Sequence, residues 1–178
     1  MIVSCHLTKG VYMISKEFAK KRLMFIQKED YNYLTYNLII LLNELDCIAE
    51  NKSFNDFKKI SYLVDFIGST RELKDFSQNE LGSIYSKTHL KKKLISHLLI
   101  VLKNKNYIGI SINKTHLTFN IWLKKDNIPE SFFNRELFKT EIENIKKIKK
   151  EVRGLKRTTV KTMVDILYTS KNVLTWEI

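Results

Sequence analysis

The sequence predicts a mainly α-helical fold with one small β-hairpin, arranged as a winged helix-turn-helix core followed by C-terminal helices. Three observations predict it. Residues 81–125 hold no Asp or Glu, and their apolar residues recur first at helical spacing and then in alternation. Helical stripes flank that stretch on both sides. One Pro and five Gly in 178 residues leave few turn formers for an all-β fold, while 44% hydrophobic residues are ample for a core. Three parts follow: an extension with a short helix (1–28), a winged-helix-like domain (29–125) and a C-terminal helical segment (126–178).

Residues 15–28 read as a short basic helix with Phe18, Leu23, Phe25 and Ile26 on its apolar side. Asp30 is placed to cap a second helix over 31–50, where a side-chain oxygen accepts the free N–H groups of the first turn. Leu34, Leu38, Leu41, Leu42 and Leu45 form its stripe and Ile39, Ile40 and Ile48 widen it, so it is expected to be covered on more than one side. Ser53 or Asn55 is read as capping a third helix, with Phe57, Ile60, Leu63, Val64 and Ile67 on one face. Gly68 is expected to stop it in the left-handed conformation. A short helix over 70–75 and a turn through Tyr85 lead to the central stretch.

There, Leu90, Leu94, Ile95, Leu98, Leu99 and Leu102 predict an amphipathic helix over 88–103. Asn104-Lys105-Asn106 breaks the pattern. Strands over 107–112 and 116–123 follow around Asn113-Lys114-Thr115, the second alternating Leu117, Phe119, Ile121 and Leu123 with polar or amphipathic residues. A helix leading straight into a hairpin is how a winged helix-turn-helix ends. Residues 126–129 form a linker whose Pro129 suits a helix start. A long helix over 131–153 carries a narrow stripe of Phe138, Ile142, Ile145, Ile148 and Val152, suited to one partner helix from this chain or another. Gly154 ends it, Thr158 or Thr159 opens a last helix through Ser170, and 173–178 reads as a terminal strand.

The net charge of +12 is segregated. Residues 1–80 are balanced, with 11 basic and 11 acidic side chains. Residues 81–125 contribute nine lysines, and 146–161 hold eight basic residues against Glu151 alone. Such blocks point to polyanions, and phosphate contacts release counterions and weaken steeply with salt. The candidate nucleic-acid contacts are Lys91, Lys92, Lys93, His97, Lys103, Lys105 and Lys114, with Arg153, Lys156 and Arg157 from the second block. Base edges are usually read by Arg, Asn or Gln. Lysines and a histidine fit phosphate contact without sequence preference. A solvated surface or an acidic protein partner are the competing readings of the same charge.

No phosphate-cradling glycine loop, nucleophile elbow, His-x-x-x-His or Cys-x-x-Cys pair occurs. His89 and His97 lie too far apart to share a metal, and Asp65 stands alone among apolar residues as an expected helix-surface acid. The chain is therefore read as a non-enzyme with no cofactor and no metal. Cys5 and Cys47 are too few for a disulfide framework, and Cys47 is expected to lie buried on a helix. No run reaches the roughly 20 apolar residues of a membrane span, and no signal-peptide pattern opens the sequence. A reduced cytoplasmic location with no membrane contact is the expectation. Met13 is a second candidate start, which would leave residues 1–12 outside the native product.

Three stretches carry a resemblance: Tyr36-Asn37-Leu38-Ile39-Ile40-Leu41-Leu42-Asn43-Glu44-Leu45 with Cys47; Phe57-Lys58-Lys59-Ile60 through Leu63-Val64-Asp65-Phe66; and Asn172-Val173-Leu174-Thr175-Trp176. Together they resemble the small middle component of three-component ABC ATPase systems, the group that includes Lamassu anti-phage defence. The resemblance spans residues 31–176 and rests on packing patterns rather than catalytic signatures. It implies a non-catalytic subunit bridging an SMC-like coiled-coil ATPase and an effector such as a nuclease, in a complex that senses foreign or broken double-stranded DNA. It brings no catalytic residue to this sequence. Phe138, Ile142, Ile145 and Ile148, with Leu38 and Leu42, are the candidate partner-binding residues. The alternative is a stand-alone winged-helix transcription regulator, which would dimerise and bind one operator.

Overall fold

The structure is a computed structural model that describes residues 31–176. The extension over 1–28, with its short helix, and the Asp30 cap lie outside the described residues. Helix α1 spans Tyr31–Glu44 and α2 spans Lys59–Ile67. Helix α3 runs from Gln78 to Asn104 and feeds a hairpin of β1 (Ile108–Asn113) and β2 (Thr118–Leu123). Helices α4 (Lys139–Glu151) and α5 (Val160–Leu167) complete the chain. A mainly helical fold with a two-stranded antiparallel hairpin is what the periodicities foretold.

Helix α2 is the centre of the molecule, touched by α1, α3, α4 and α5. Only Asp65 on it escapes full burial, so its sequence is apolar almost all round, as a helix covered on every side requires. Tyr168, just past α5, closes one side of this core. Its hydroxyl donates to the Tyr62 carbonyl at 2.8 Å, and its ring packs against Tyr62, Phe66 and Tyr85. The α4 stripe is filled from within the chain, because α4 packs on α1 and α2. Phe138, Ile145, Ile148, Leu38 and Leu42 are buried there and Ile142 is half-buried. The five buried residues are therefore core, with Ile142 packed at its edge, and the expectation that the five meet a second protein is corrected.

The hairpin pairs Ile108 with Leu123, Ile110 with Ile121 and Ile112 with Phe119, so one face is apolar along its whole length. Phe54, between α1 and α2, forms an antiparallel bridge with Ile121, with N–H···O distances of 2.8 and 3.1 Å in the two directions. The order is thus helix, bridge, helix, helix, hairpin.

Several boundaries moved for identifiable reasons. Helix α3 begins ten residues before the expected start at 88, because Ser77 and Glu80 form a reciprocal capping box that satisfies two free N–H groups. The expected turn around 79–85 is consequently helical. Helix α4 begins at Lys139 rather than 131, since Asn134 Oδ1 takes the N–H groups of Glu136 and Leu137 and holds a separate turn. Helix α1 stops at Glu44, leaving Cys47 buried just beyond it and not on it. Neither Ser53 nor Asn55 caps α2; Asp56 Oδ1 accepts the Lys58 N–H one turn before it. The 70–75 helix is a 3-10 turn over Leu73–Asp75, and 173–176 forms no strand. Strand β2 starts at Thr118 because Leu117 takes a left-handed φ of 46°, which ends the alternation.

Gly68 is needed for space rather than handedness. Its φ is −89°, and a Cβ there would stand 1.9 Å from the Tyr33 hydroxyl oxygen. Gly154, by contrast, does adopt a left-handed φ of 68° after α4.

Candidate nucleic-acid interface

Each cation singled out in the sequence now has a place. Lys91 is 4% exposed and donates to the Asp65 carboxylate across the α2–α3 contact. It is removed from the candidate contacts, and Asp65 is not a free surface acid but its half-buried counter-charge. The helical register explains the error. Leu90, assigned to the apolar stripe, is 60% exposed while Lys91 points inward. Lys92 is half-buried with its ammonium 4.8 Å from the centre of the Tyr62 ring, a cation–π contact that occupies it. His97 is exposed but hydrogen-bonded through Nδ1 to the Tyr31 hydroxyl at 2.8 Å.

Lys93, Lys103, Lys105 and Lys114 remain exposed. Lys93 and Lys103 stand on the outer surface of α3, and Lys114 stands in the hairpin turn. Lys105 sits at the helix end where the chain turns into β1. The hairpin lies back against the last turns of α3, so Ile110 and Phe119 face Leu99, Ile100 and Lys103 across a groove of about 400 Å³.

The second basic block is divided. Lys146, Lys147, Lys149 and Lys150 ride on the exposed side of α4, with Lys147 3.0 Å from Glu72. The loop after α4 goes elsewhere. Asn55 N–H donates to the Lys156 carbonyl at 3.0 Å, and Phe57 N–H donates to Phe119 O at 3.1 Å. Arg153, Lys156 and Arg157 therefore lie beside the 54–57 segment, which itself borders β2. Arg153 and Arg157 are exposed, while Lys156 is half-buried and gives its ammonium to the Asp46 carbonyl at 3.1 Å.

Lys59 holds that loop in place. Its ammonium is buried and donates to the carbonyls of Leu155, Lys156 and Thr158 at 2.7, 3.1 and 2.9 Å. It also lies 4.3 Å over the Phe54 ring. Burial draws this amine down to about 7, with the Asp56 carboxylate opposing that shift. Three carbonyl acceptors match the three donors of an ammonium. Nothing in the local sequence marks Lys59 as internal, because its partners lie about a hundred residues away.

The surface between α3 and the hairpin also carries exposed apolar residues, some of which periodicity misassigned. Ile100 fell outside the α3 stripe and is exposed, which the register alone signalled. Phe119 was read with Ile121 and Leu123 as an inward residue, yet it and its partner Ile112 project past the core. The Cys47 thiol is pushed up to about 11 by burial, which leaves little thiolate for chemistry. Among the described residues no group of three His, Cys, Asp or Glu side chains is placed to hold a metal ion. No described helix is long and apolar enough to cross a membrane.

No protein-family model, no curated protein and no solved structure matches this chain.

Proposed function

We propose that this chain is a non-catalytic subunit of an SMC-like ATPase defence complex, contacting duplex DNA by its phosphates without reading sequence. The contact surface is the outer side of α3 at Lys93 and Lys103, the hairpin turn at Lys114, and the neighbouring loop at Arg153 and Arg157. One observation carries this reading: the loop that holds Arg153 and Arg157 is hydrogen-bonded to the 54–57 segment bordering β2, α3 leads into β1 of the same hairpin, and residues 81–125 supply no acid to offset their lysines. We read the finer fold as a winged helix-turn-helix: in that reading the Phe54–Ile121 bridge would stand for the first strand and α3 for the groove-facing helix. Membership of an ATPase complex rests on the sequence resemblance.

A stand-alone transcription regulator fits less well. Its helix would offer Leu90, Lys93, His97 and Ile100 to base edges, a set poor in bidentate readers. The α4 stripe, a candidate seam for one partner helix from this chain or another, is filled within the core and favours neither reading.

The test replaces Lys93, Lys103, Lys114 and Arg157 by Glu and measures binding to unrelated duplexes at two salt concentrations. Each lost phosphate contact lowers the slope of log K against log salt by about 0.9. The expected result is a loss of affinity on every duplex together with a shallower slope. Unchanged affinity and slope would remove DNA from this surface. Co-purification with the products of neighbouring genes, a long coiled-coil ATPase being the expected partner, tests the complex separately.

A further inference from the structure

The apolar face of the hairpin is longer than the core it covers. Ile108, Ile121 and Leu123 seal against the helices, while Ile110 is half-buried at the groove wall. The last apolar pair overhangs, leaving Ile112 71% and Phe119 44% exposed. Opposite them α3 presents Ile100, 58% exposed, with Leu99 and Phe57 forming the floor of the groove between. Contiguous apolar surface with a concave floor marks a place where another apolar group docks.

Charge selects the occupant. Lys103 lines the groove, Lys93 lies two helical turns from Ile100 on the same side of α3, and Lys114 stands at the hairpin turn. Asp56, beside Phe57 of the groove floor, is buried, with Oδ1 accepting from Thr118 Oγ1 at 2.9 Å and from Lys58 N–H at 3.0 Å. Nothing acidic on these elements balances the lysines. A second copy would bring +12 against +12, and a two-fold contact would set these lysines against themselves. Residues 1–30 hold six basic and three acidic side chains and are equally mismatched. A lipid surface is flat, whereas Ile100 and Phe119 face one another across a cleft.

We propose that the groove between α3 and the hairpin binds an acidic amphipathic segment of a partner protein. Its apolar side chains fill the space between Ile100 and Phe119, and its carboxylates meet Lys93, Lys103 and Lys114. Apolar anchoring gives affinity, and the lysine rim rejects basic and neutral segments. This goes beyond the DNA contact, which uses the lysines and not the apolar floor.

The full chain is used to select from a displayed library of random segments on the order of a dozen residues long, the length of a short recognition helix. Enriched segments are expected to combine two or more large apolar residues with Asp and Glu. In fluorescence anisotropy with a synthetic copy of an enriched segment, Ile100→Asp is expected to weaken binding by about tenfold or more, as loss of a central apolar anchor does. Lys103→Glu with Lys114→Glu weakens it further and flattens its salt dependence. Ile100 is solvent-facing, so circular dichroism of the Ile100→Asp variant stays that of the wild type, and the uncharged Ile100→Ser, which sets no carboxylate beside Lys93 and Lys103, weakens segment binding while DNA affinity is retained. The separate substitutions therefore distinguish failure of the groove from failure of the DNA contact. The proposal is overturned by no enrichment, by enriched segments lacking acids, or by binding that survives Ile100→Asp. Preferential sedimentation with phosphatidylserine vesicles through Ile100 and Phe119, or a dimer abolished by Ile100→Asp, would assign the groove to a membrane or to a second copy instead.

Discussion

Lys91 on α3 gives its ammonium to the Asp65 carboxylate on α2, and both groups lie inside the contact between those helices. A lysine that charge counting assigns to a ligand thus belongs to the core. A buried pair offsets desolvation only while both charges are present, and removing one leaves the other without a counter-charge. Lys91→Met or Asp65→Leu is expected to destabilise by about 3–5 kcal/mol. The double variant Asp65→Leu/Lys91→Met is expected to recover most of that loss. Urea unfolding with linear extrapolation measures all three. A double variant no more stable than the worse single one would mean the pair is not energetically coupled. Lys91→Glu, the charge reversal that the sequence invites as a DNA test, would report on folding.

Much of the fold was legible because burial follows period. The α1 and α2 stripes, the switch from helical spacing to alternation at 104–106, and the hairpin itself all appear where the apolar residues place them. Two inward lysines depend on information stored in a partner distant in sequence. Lys91 is turned inward by Asp65, 26 residues away, and Lys59 by carbonyls near residue 156. Neither is visible in a local window. The start of α3 was different, since Ser77 and Glu80 announced it and only the poor helix formers Asn79, Gly82 and Ser83 argued the other way. The α4 stripe was read correctly as a seam for one side of a helix, but a seam does not say whose helix fills it.

Arg71 and the α3 capping box give the protein an acid-sensitive joint. Arg71 donates to both Glu80 carboxylate oxygens, at 2.6 and 3.0 Å, and the Ser77 N–H donates to Glu80 at 2.9 Å. The Arg71 guanidinium first, and the Ser77 hydrogen bonds after it, hold the Glu80 carboxyl down from 4.5 to about 2. A depressed folded value means the ionised form is favoured by folding. The contribution is therefore fully present above pH 4.5 and is lost as pH falls toward about 2. Glu80→Gln is expected to lower the thermal midpoint at pH 7 and to lose less on acidification, so that the two curves converge near the bottom of that window. Parallel curves between pH 5 and pH 2 would show that Glu80 does not couple folding to protons here.

Gly68 and Tyr33 are matched in shape. The Tyr33 hydroxyl donates to the Val64 carbonyl at 3.4 Å, one turn before Gly68, and the whole side chain is buried. Burial, with the Asp65 and Glu141 carboxylates adding to it, pushes that hydroxyl well above the usual tyrosine range, so it stays a neutral donor. A methyl group at position 68 would overlap the Tyr33 oxygen at 1.9 Å and its Cζ at 2.8 Å. Gly68→Ala is therefore expected to destabilise by about 1–3 kcal/mol, the range for forcing extra volume into a packed interior. Its φ of −89° is open to alanine, so backbone strain adds nothing. Removing the hydroxyl takes away the closer clash and leaves the Cζ contact. Tyr33→Phe is thus expected to relieve part of the Gly68→Ala loss while costing about 1 kcal/mol in the wild-type background. A thermodynamic cycle of the four proteins reads the difference. Additive effects of the two substitutions would show that glycine is needed at position 68 for a reason other than room for Tyr33.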